Sequence, residues 1–286
     1  MKRSLARYCR VVLIAVLAAA LACPFPAEAR KKAHPKKKSG PYQVSANAAL
    51  LFDESGAHKF YARDIEQKVF PASTTKVMTA LIVLERMNLN DVVTIPAAAA
   101  NVLPSKVELK AGEQYHVRDL LFCALLNSAN DAALALAIAA AGSEEKFVDL
   151  MNDKTRQLGA KHTVFANPHG LPANRPQYTT AYDMFLIFRA ALKNEFFREA
   201  IKIRTMDVKS VEGRVIALRS HNKALFKGWK TGVYGKTGYT RQAQACFIGV
   251  INKGQEALIV AVFGCPGSTR WDDVKFIIEH YGGVDL

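Results

Sequence analysis

The sequence predicts an α+β fold, in which a mostly antiparallel sheet is covered by helices on both faces and an all-helical subdomain is inserted in the middle. Segments with the two-residue alternation of strands occur soon after residue 42 and again after residue 206. Ala-rich segments with helical periodicity fill the interval between them. We therefore expect strands from both ends of the chain to meet in one sheet, with the helices packed outside it.

The first predicted elements are a hairpin and a helix. Residues 46–52 and 58–62 read as strands around a Glu54-Ser55-Gly56 turn. Apolar residues with helical spacing then begin just after Ser73 and continue to about Met87. The sequence therefore predicts a helix whose N-terminus carries Ser73.

The middle of the chain is predicted to be helical. Gly142 and Gly159 break the pattern between successive helices. Ser143 and Asp131 stand at helix starts, so we expect each to act as an N-cap. The predicted helices are residues 117–126, 131–141, 144–158 and 181–192.

The last part of the chain changes to β-branched and apolar strand patterns and closes on an amphipathic helix. The predicted strands are residues 206–211, 215–220, 244–251 and 257–263, and the predicted helix is 271–280.

Residues 1–29 have the parts of a signal peptide. Basic residues precede a short apolar run at 11–22, and Ala27-Glu28-Ala29 is a small-x-small cleavage site. The apolar run is shorter than the roughly 20 residues of a spanning helix. Cys23 loosely fits a bacterial lipoprotein site, so cleavage after Ala29 and lipid attachment at Cys23 both stay open. By either route the domain is exported across the inner membrane to the periplasm or cell envelope.

Residues 30–41 form a basic leader, whose like charges and low apolar content predict disorder. Residues 1–38 carry +9 of the formal net charge of +14, which leaves +5 on residues 39–286. A net charge of +5 on residues 39–286 is too small to indicate a nucleic-acid-binding surface. The leader suits contact with an anionic membrane surface or wall polymer, or a purely solvated role. The remaining residues, 42–286, have the length of one large domain.

The three cysteines after the signal are not expected to form a structural disulfide. Cys123 lies in an apolar helical run, and Cys246 and Cys265 are not opposite one another on their predicted hairpin. No Cys or His spacing suggests a metal site, and no cofactor is predicted.

Three short motifs follow one another in a fixed order: Ser73-Thr74-Thr75-Lys76, Ser128-Ala129-Asn130 and Lys236-Thr237-Gly238. On a helix, residues three apart share a face, so Lys76 can reach the hydroxyl of Ser73. Free N–H groups at the helix N-terminus also favour negative charge near that serine. Together the motifs match the Ser-x-x-Lys, Ser-x-Asn and Lys-Thr-Gly set of active-serine penicillin-recognising enzymes.

Each motif has a look-alike elsewhere in the chain, and its context excludes it. The capping role of Ser143 explains its spacing to Lys146, and Ser45 precedes the nucleophile in a predicted strand. Ser220 lies at a strand end. Lys230-Thr231-Gly232 is followed by a turn, whereas Lys236 leads into the apolar strand that ends at Ile251.

The chain resembles the D-alanyl-D-alanine carboxypeptidases, low-molecular-mass penicillin-binding proteins of serine peptidase family S11, over residues 42–270. Besides the motifs, Asn167-Pro168-His169-Gly170-Leu171 and residues 179–184 match family segments. The resemblance implies a β-lactamase-like transpeptidase fold in residues 42–286. It implies removal of the terminal D-alanine from peptidoglycan stem peptides through a Ser73 acyl-enzyme, with β-lactams as covalent inhibitors.

The site residues have chemically distinct expected roles. Ser73 is the nucleophile, and Lys76 is its base if burial and a nearby cation lower the pKa of the amine. Lys236 supplies that cation and, with Thr237 and Gly238 of its motif, binds the substrate carboxylate. Ser128 relays a proton to the leaving amine, and Asn130 holds Lys76 and the substrate amide. By resemblance, the backbone N–H groups of Ser73 and Tyr239 form the oxyanion hole. His169 is expected to be structural.

Several departures keep other functions open. Ala129 replaces the usual glycine, and the interval from Ser73 to Ser128 is shorter than in larger members. We also expect no room after the catalytic domain for the C-terminal β-rich domain and anchor of many relatives. The chain length and the short interval resemble the soluble D,D-endopeptidases of the family, which cut D-Ala-containing cross-links, although the loop at residues 167–171 favours a carboxypeptidase. A β-lactamase lacks support because no Glu-x-x-Leu-Asn loop follows Ser128. A non-catalytic wall-binding or β-lactam-sensing protein predicts damaged motifs, and these are intact.

Overall fold

The structure is a computed structural model that describes residues 42–286. Its central sheet has five strands in the order β2-β1-β9-β8-β7, and every neighbouring pair is antiparallel. The predicted α+β class is therefore confirmed. The strands of this sheet are β1 (Ala48–Asp53), β2 (Lys59–Arg63), β7 (Val233–Thr240), β8 (Gln244–Lys253) and β9 (Glu256–Cys265).

Eight helices accompany the sheet within residues 42–286. They are α1 (Lys76–Arg86), α2 (Ala97–Ala100), α3 (Val117–Leu126), α4 (Asn130–Ala141), α5 (Glu144–Leu158), α6 (Ala181–Leu192), α7 (Glu195–Ala200) and α8 (Arg270–Gly282). Two 3₁₀ turns, Ala72–Thr75 and Lys223–Phe226, both contribute residues to the lining of one cleft.

Helices cover both faces of the sheet, as predicted. Because side chains alternate along a strand, Leu50 and Phe52 of β1 face a core shared with α1 and α6, whereas Leu51 faces a second core with α8. The pairing of Leu50 with Ala261 joins the beginning of the described chain to its end. This explains why the strand patterns stand at both ends of the sequence.

The inserted subdomain differs from the prediction because it is not all-helical. Between the helices lie two short antiparallel ribbons that are separate from the main sheet. The strands predicted at 206–211 and 215–220 form one of them, instead of joining the sheet, and the other was not predicted. The ribbons are β3 (Val92–Thr94) with β4 (Gln114–His116), and β5 (Thr205–Lys209) with β6 (Val215–Arg219).

Two further boundaries differ where the site is built. Ser73 lies in the 3₁₀ turn, and the α-helix begins only at Lys76. Lys236 lies within a separate strand, the edge strand β7, which was not predicted. It does not lie in a segment that leads directly into the strand predicted at 244–251. The glycines at 235 and 238 lower the strand propensity of β7, so its pattern was not recognised.

None of the helices within residues 42–286 is long and apolar enough to cross a membrane. The predicted signal peptide (1–29) and basic leader (30–41) lie outside the described residues.

Candidate active site

Ser73 is held in a turn that two glycines pack against. A Cβ at Gly238 would lie 3.1 Å from the Ser73 nitrogen and 3.1 Å from the Pro71 oxygen. A Cβ at Gly170, where φ is +86°, would lie 1.8 Å from the oxygen of Ala72. A Cβ at Gly170 would overlap the Ala72 backbone, and one at Gly238 would be tighter than an ordinary contact. The two glycines therefore let β7 and the loop after residue 167 close tightly around the half-buried serine.

Lys76 is completely buried beside Ser73. Its Nζ donates to Ser73 Oγ at 3.2 Å, to Asn130 Oδ1 at 2.6 Å and to the carbonyl of His169 at 2.8 Å. Burial and then the charge of Lys236 lower the pKa of Lys76 well below its usual value. The amine can therefore exist in its neutral form next to the serine hydroxyl.

The second motif is brought to the first by the turn between α3 and α4. Ser128 has a left-handed backbone, with φ of +58°, which is uncommon for a residue with a side chain. The side chain of Asn130 bridges two segments, since its Nδ2 donates to the Leu103 carbonyl at 2.8 Å while its oxygen accepts from Lys76. Such a residue positions both the amine and the loop that lines the cleft.

The predicted capping role of Asp131 is wrong. The helix starts at Asn130, and the buried Asp131 carboxylate accepts hydrogen bonds from the backbone N–H groups of Val107 and Leu109, each at 3.1 Å. It also accepts from Ala132 N at 2.9 Å. Asp131 thus anchors the loop that reaches Asn130. By contrast, Ser143 caps its helix as predicted, accepting from Lys146 N at 3.2 Å.

The third motif approaches from the edge strand. Lys236 is buried, and its Nζ donates to Ser128 Oγ at 2.8 Å and to the Thr237 carbonyl at 3.0 Å. Burial, followed by the charge of Arg270, lowers the pKa of Lys236 to about 7. Two amines thus face two serine hydroxyls, with Lys76 on Ser73 and Lys236 on Ser128. Tyr239, one residue beyond Gly238, is exposed.

Arg270 is a site residue that the sequence reasoning missed. It lies at the start of α8, and a terminal guanidinium nitrogen donates to the carbonyls of Gly238, at 3.2 Å, and Cys246, at 3.0 Å. Its Nε is buried without a partner among residues 42–286. Its spacing to the motifs does not point to the site, because Arg270 meets β7 only through the tertiary packing of α8 against the sheet.

His169 contributes its backbone and not its ring to Lys76. The imidazole Nε2 lies 3.9 Å from Glu144 Oε1, and Nδ1 accepts from Leu171 N at 3.3 Å. Burial and then the charge of Lys76 lower its pKa to about 3. The ring is therefore neutral at neutral pH, which agrees with a structural role.

The look-alike motifs do not take part in this hydrogen-bonded cluster, although Ser220 and Lys223 line the cleft into which it opens. Lys230 is exposed and pairs with Asp285. The Ser45 hydroxyl donates to a carboxylate oxygen of Asp273 on α8, and it shares a hydrogen bond with the hydroxyl of Thr269 just before that helix. Ser220 lies at the end of β6, where its Oγ accepts from Asn222 N at 3.2 Å.

The site opens into a cleft of about 1020 Å³. Ser73, Ser128, Asn130, Thr237 and Arg270 all line it. No group of three or more His, Cys, Asp or Glu side chains in the described part of the chain is arranged to hold a metal ion. Cys123, Cys246 and Cys265 are buried free thiols. The arrangement offers a nucleophile, an amine that can accept its proton and cationic groups for an anionic substrate.

Comparisons with known proteins point to one family. A family model described as D-alanyl-D-alanine carboxypeptidase matches residues 32–267. The carboxypeptidase DacF of Bacillus subtilis is 32% identical over 234 residues, which cover 80% of this chain and 59% of DacF. DacB2 of Mycobacterium tuberculosis is 31% identical over 239 residues, which cover 82% of this chain and 81% of DacB2. The chain thus spans about three fifths of the length of DacF.

Solved structures agree with the observed fold. The DD-transpeptidase of Streptomyces K15 has a TM-score of 0.79 at 26% identity, covering 85% of this chain and 99% of that protein. The D-alanyl-D-alanine carboxypeptidase from Mycobacterium tuberculosis H37Rv has a TM-score of 0.78 at 29% identity, covering 87% of this chain and 95% of that protein.

Proposed function

The chain belongs to the D-alanyl-D-alanine carboxypeptidase family, and from this premise we propose that it is a serine-type penicillin-binding hydrolase. Its substrate is a peptidoglycan stem peptide, from which it removes the terminal D-alanine. The observation that carries the proposal is the burial of Lys76 between Ser73 Oγ and Asn130 Oδ1, at 3.2 and 2.6 Å. A buried amine with a depressed pKa is a base that operates at neutral pH.

Acylation begins at Ser73. As its Oγ attacks the carbonyl carbon between the two D-alanines, its proton passes to Nζ of Lys76, and the carbonyl oxygen becomes an oxyanion. The N–H groups of Ser73 and Tyr239 stabilise that charge, and the close approach that Gly238 permits supports this assignment. Losing one such donor typically costs about 10²–10³ in rate.

The substrate carboxylate is bound at the other side of the scissile bond. Thr237 offers a hydroxyl, and Lys236 and Arg270 offer positive charge. Arg270 supports this role because it lines the cleft and its guanidinium is held in place by the carbonyls of Gly238 and Cys246. The carboxylate in turn favours the charged form of Lys236.

Departure of D-alanine requires a proton on its nitrogen. Ser128 lies between the leaving group and Lys236, whose Nζ is 2.8 Å from the serine oxygen. We assign Ser128 the relay of a proton to the amine. Water then hydrolyses the ester on Ser73, with Lys76 taking the proton of the water. Strained β-lactams enter by the same acylation and remain attached, which makes them covalent inhibitors.

The proposal includes export of the domain. Residues 1–29 serve as the signal, with either cleavage after Ala29 or lipid attachment at Cys23, and residues 30–41 as a basic leader. The catalytic domain, residues 42–286, then acts in the periplasm or cell envelope on the wall that determines cell shape. The leader's positive charge supports contact with anionic membrane surfaces.

Product analysis tests this function. The purified protein is incubated with a stem pentapeptide ending in D-Ala-D-Ala and, separately, with a cross-linked muropeptide, and the products are separated by chromatography. We expect free D-alanine from the pentapeptide, at a rate that a Ser73→Ala variant loses. Cleavage of the cross-linked muropeptide alone would replace the proposal by an endopeptidase. No product from either substrate would favour a non-catalytic binding protein.

A further inference from the structure

We propose that one wall of the active-site cleft is a leaving-group subsite, which binds a second carboxylate on the amine that departs from the acyl-enzyme. This cationic wall consists of Arg219, Lys223 and Lys227 around Phe226. The inference rests on the proposed function and extends it. The enzyme accepts leaving groups that carry one carboxylate more than D-alanine does.

The charge of the cationic wall is not compensated within the protein. None of its three cations lies within 4 Å of a carboxylate of residues 42–286. Among the described residues that line the cleft, Asp272 is the single acid. A concave surface that concentrates one sign of charge attracts ligands of the opposite sign.

The segment that carries the cationic wall is also fixed in place. The guanidinium of Arg219 lies 4.1 Å from the centre of the Phe226 ring, which restricts its rotamers. Backbone N–H groups tie the same segment to the turn before Ser128, from Arg219 N to Asn127 Oδ1 at 2.9 Å and from His221 N to the Leu126 carbonyl at 2.9 Å. The segment therefore holds a defined position relative to the catalytic groups.

The cationic wall borders the site for the substrate carboxylate. The 3₁₀ turn Lys223–Phe226 follows Asn222, whose Nδ2 donates to the Val233 carbonyl of β7 at 2.8 Å. Lys223 also lines a smaller cavity, of about 220 Å³, together with Tyr239 and Arg270. Because Arg270 binds the leaving group's carboxylate in the proposed mechanism, Lys223 lies on the leaving-group side of the cleft. Arg219 and Lys227 continue the cationic wall along the main cleft.

The chemistry of the step is unchanged by this subsite. The bond between the D-alanyl carbonyl and the nitrogen breaks, the nitrogen takes a proton, and water completes hydrolysis of the ester. Two kinds of amine carry the additional carboxylate: an acidic D-amino acid and the amine of a second acidic peptide joined in a cross-link. The cleft of about 1020 Å³ is far larger than a single D-alanine, so its size accommodates both.

The test compares two peptides, acyl–D-Ala–D-Glu and acyl–D-Ala–D-Gln, which differ in one charge. We expect the protein to prefer the D-Glu peptide by about tenfold in kcat/KM, as charge-assisted contacts are stronger than neutral ones. In Arg219→Gln the ratio should fall towards one, and in Lys227→Gln it should fall partially. Lys161→Gln is the matched control, since it removes an exposed lysine that does not line the cleft. Its ratio should equal that of the unaltered protein.

Two further measurements make the result decisive. Thermal unfolding confirms that each variant is folded, and the ratio should decline at roughly 0.5 M salt, where screening is strong. A synthetic dimer, with the same D-alanine joined to the amine of a second acidic peptide, distinguishes the two sources of carboxylate. A preference for D-Glu without comparable cleavage of the dimer assigns the subsite to acidic D-amino acids.

The inference and the proposed function fail in different ways. Release of D-alanine from a D-Ala-D-Ala peptide, with a D-Glu to D-Gln ratio near one or unchanged by Arg219→Gln, would overturn the subsite alone. Hydrolysis of none of the peptides would overturn the proposed function itself.

Discussion

Replacing Gly170 by alanine should disable acylation while leaving the protein folded. In the structure, a Cβ at this position would lie 1.8 Å from the Ala72 oxygen and 2.4 Å from its carbonyl carbon. Carbon–oxygen contacts below about 3 Å are not sustained in proteins, so the loop and the turn must separate by roughly 1.2 Å. The turn that moves is the one that carries Ser73.

The structure gives separate magnitudes for stability and for reactivity. A left-handed backbone costs a residue with a Cβ about 1–2 kcal/mol, which corresponds to a fall in Tm of about 2–8 °C for a domain of this size. A displacement of about 1 Å at a reacting group can cost on the order of 10² in rate. We therefore expect acylation by penicillin to slow by about 100-fold or more, alongside a modest loss of Tm.

Gly112 provides a matched control. Its φ of +87° is close to the +86° of Gly170, so a side chain would cause similar backbone strain at both positions. A Cβ at Gly112, however, would have no atom within 4 Å. Gly112→Ala should lose a similar backbone contribution to stability and keep the normal acylation rate. Stopped-flow acylation with a fluorescent penicillin and thermal unfolding of both variants measure the two effects. Normal acylation of Gly170→Ala, or an equal loss in Gly112→Ala, would refute the packing argument.

Three further predictions concern other parts of the site. Lys236→Ala should abolish acylation and Lys230→Ala should spare it, as measured with labelled penicillin; the reverse would show that the wrong Lys-Thr-Gly motif was chosen. Since the pKa of Lys236 is lowered to about 7, its cationic form is lost as pH rises through that value. The kcat/KM for a peptide with a free terminal carboxylate should therefore decline above about pH 7, and a profile that stays flat into the alkaline range would contradict this. Asp131→Ala leaves buried N–H groups without an acceptor, so urea unfolding should show a loss of about 3 kcal/mol, and a loss below about 1 kcal/mol would not fit.

The sequence predicted the six longer helices and the strands β1, β2, β8 and β9 of the main sheet, because their apolar periodicity is strong. The short helices α2 and α7 were not predicted. Residues 144–158 and 181–192 were predicted with the bounds that the structure has. The ribbon of β3 and β4 was not predicted, since three-residue strands such as Val92–Thr94 are too brief to show a period. The strands of the other ribbon were predicted, but they were expected to join the main sheet. Gly238 allows β7 to approach Ser73 closely, whereas Gly235 packs against β8. Both glycines lower the strand propensity of β7, so the edge strand that carries Lys236 was not predicted.

The candidate site followed from three motifs in order, and the structure brings their side chains within hydrogen-bond distance of one another. Contacts made to the site by residues outside these motifs could not be predicted from the sequence. Arg270 reaches the cleft from α8, which packs on the face of the sheet opposite to α1. Asp131 anchors a loop by accepting hydrogen bonds from the backbone N–H groups of Val107 and Leu109. Such contacts depend on tertiary packing and have no local pattern.

The most direct test of the account is to find the residue that becomes acylated. The full chain is incubated with labelled penicillin, digested, and the labelled peptide is sequenced by mass spectrometry. We predict that the label lies on Ser73 and that Lys76→Ala prevents its attachment at neutral pH, because no other buried amine lies against the Ser73 hydroxyl among residues 42–286. A label on Ser128, Ser220 or any other residue, or the absence of label from the folded protein, would contradict the central claim that Ser73 is the nucleophile.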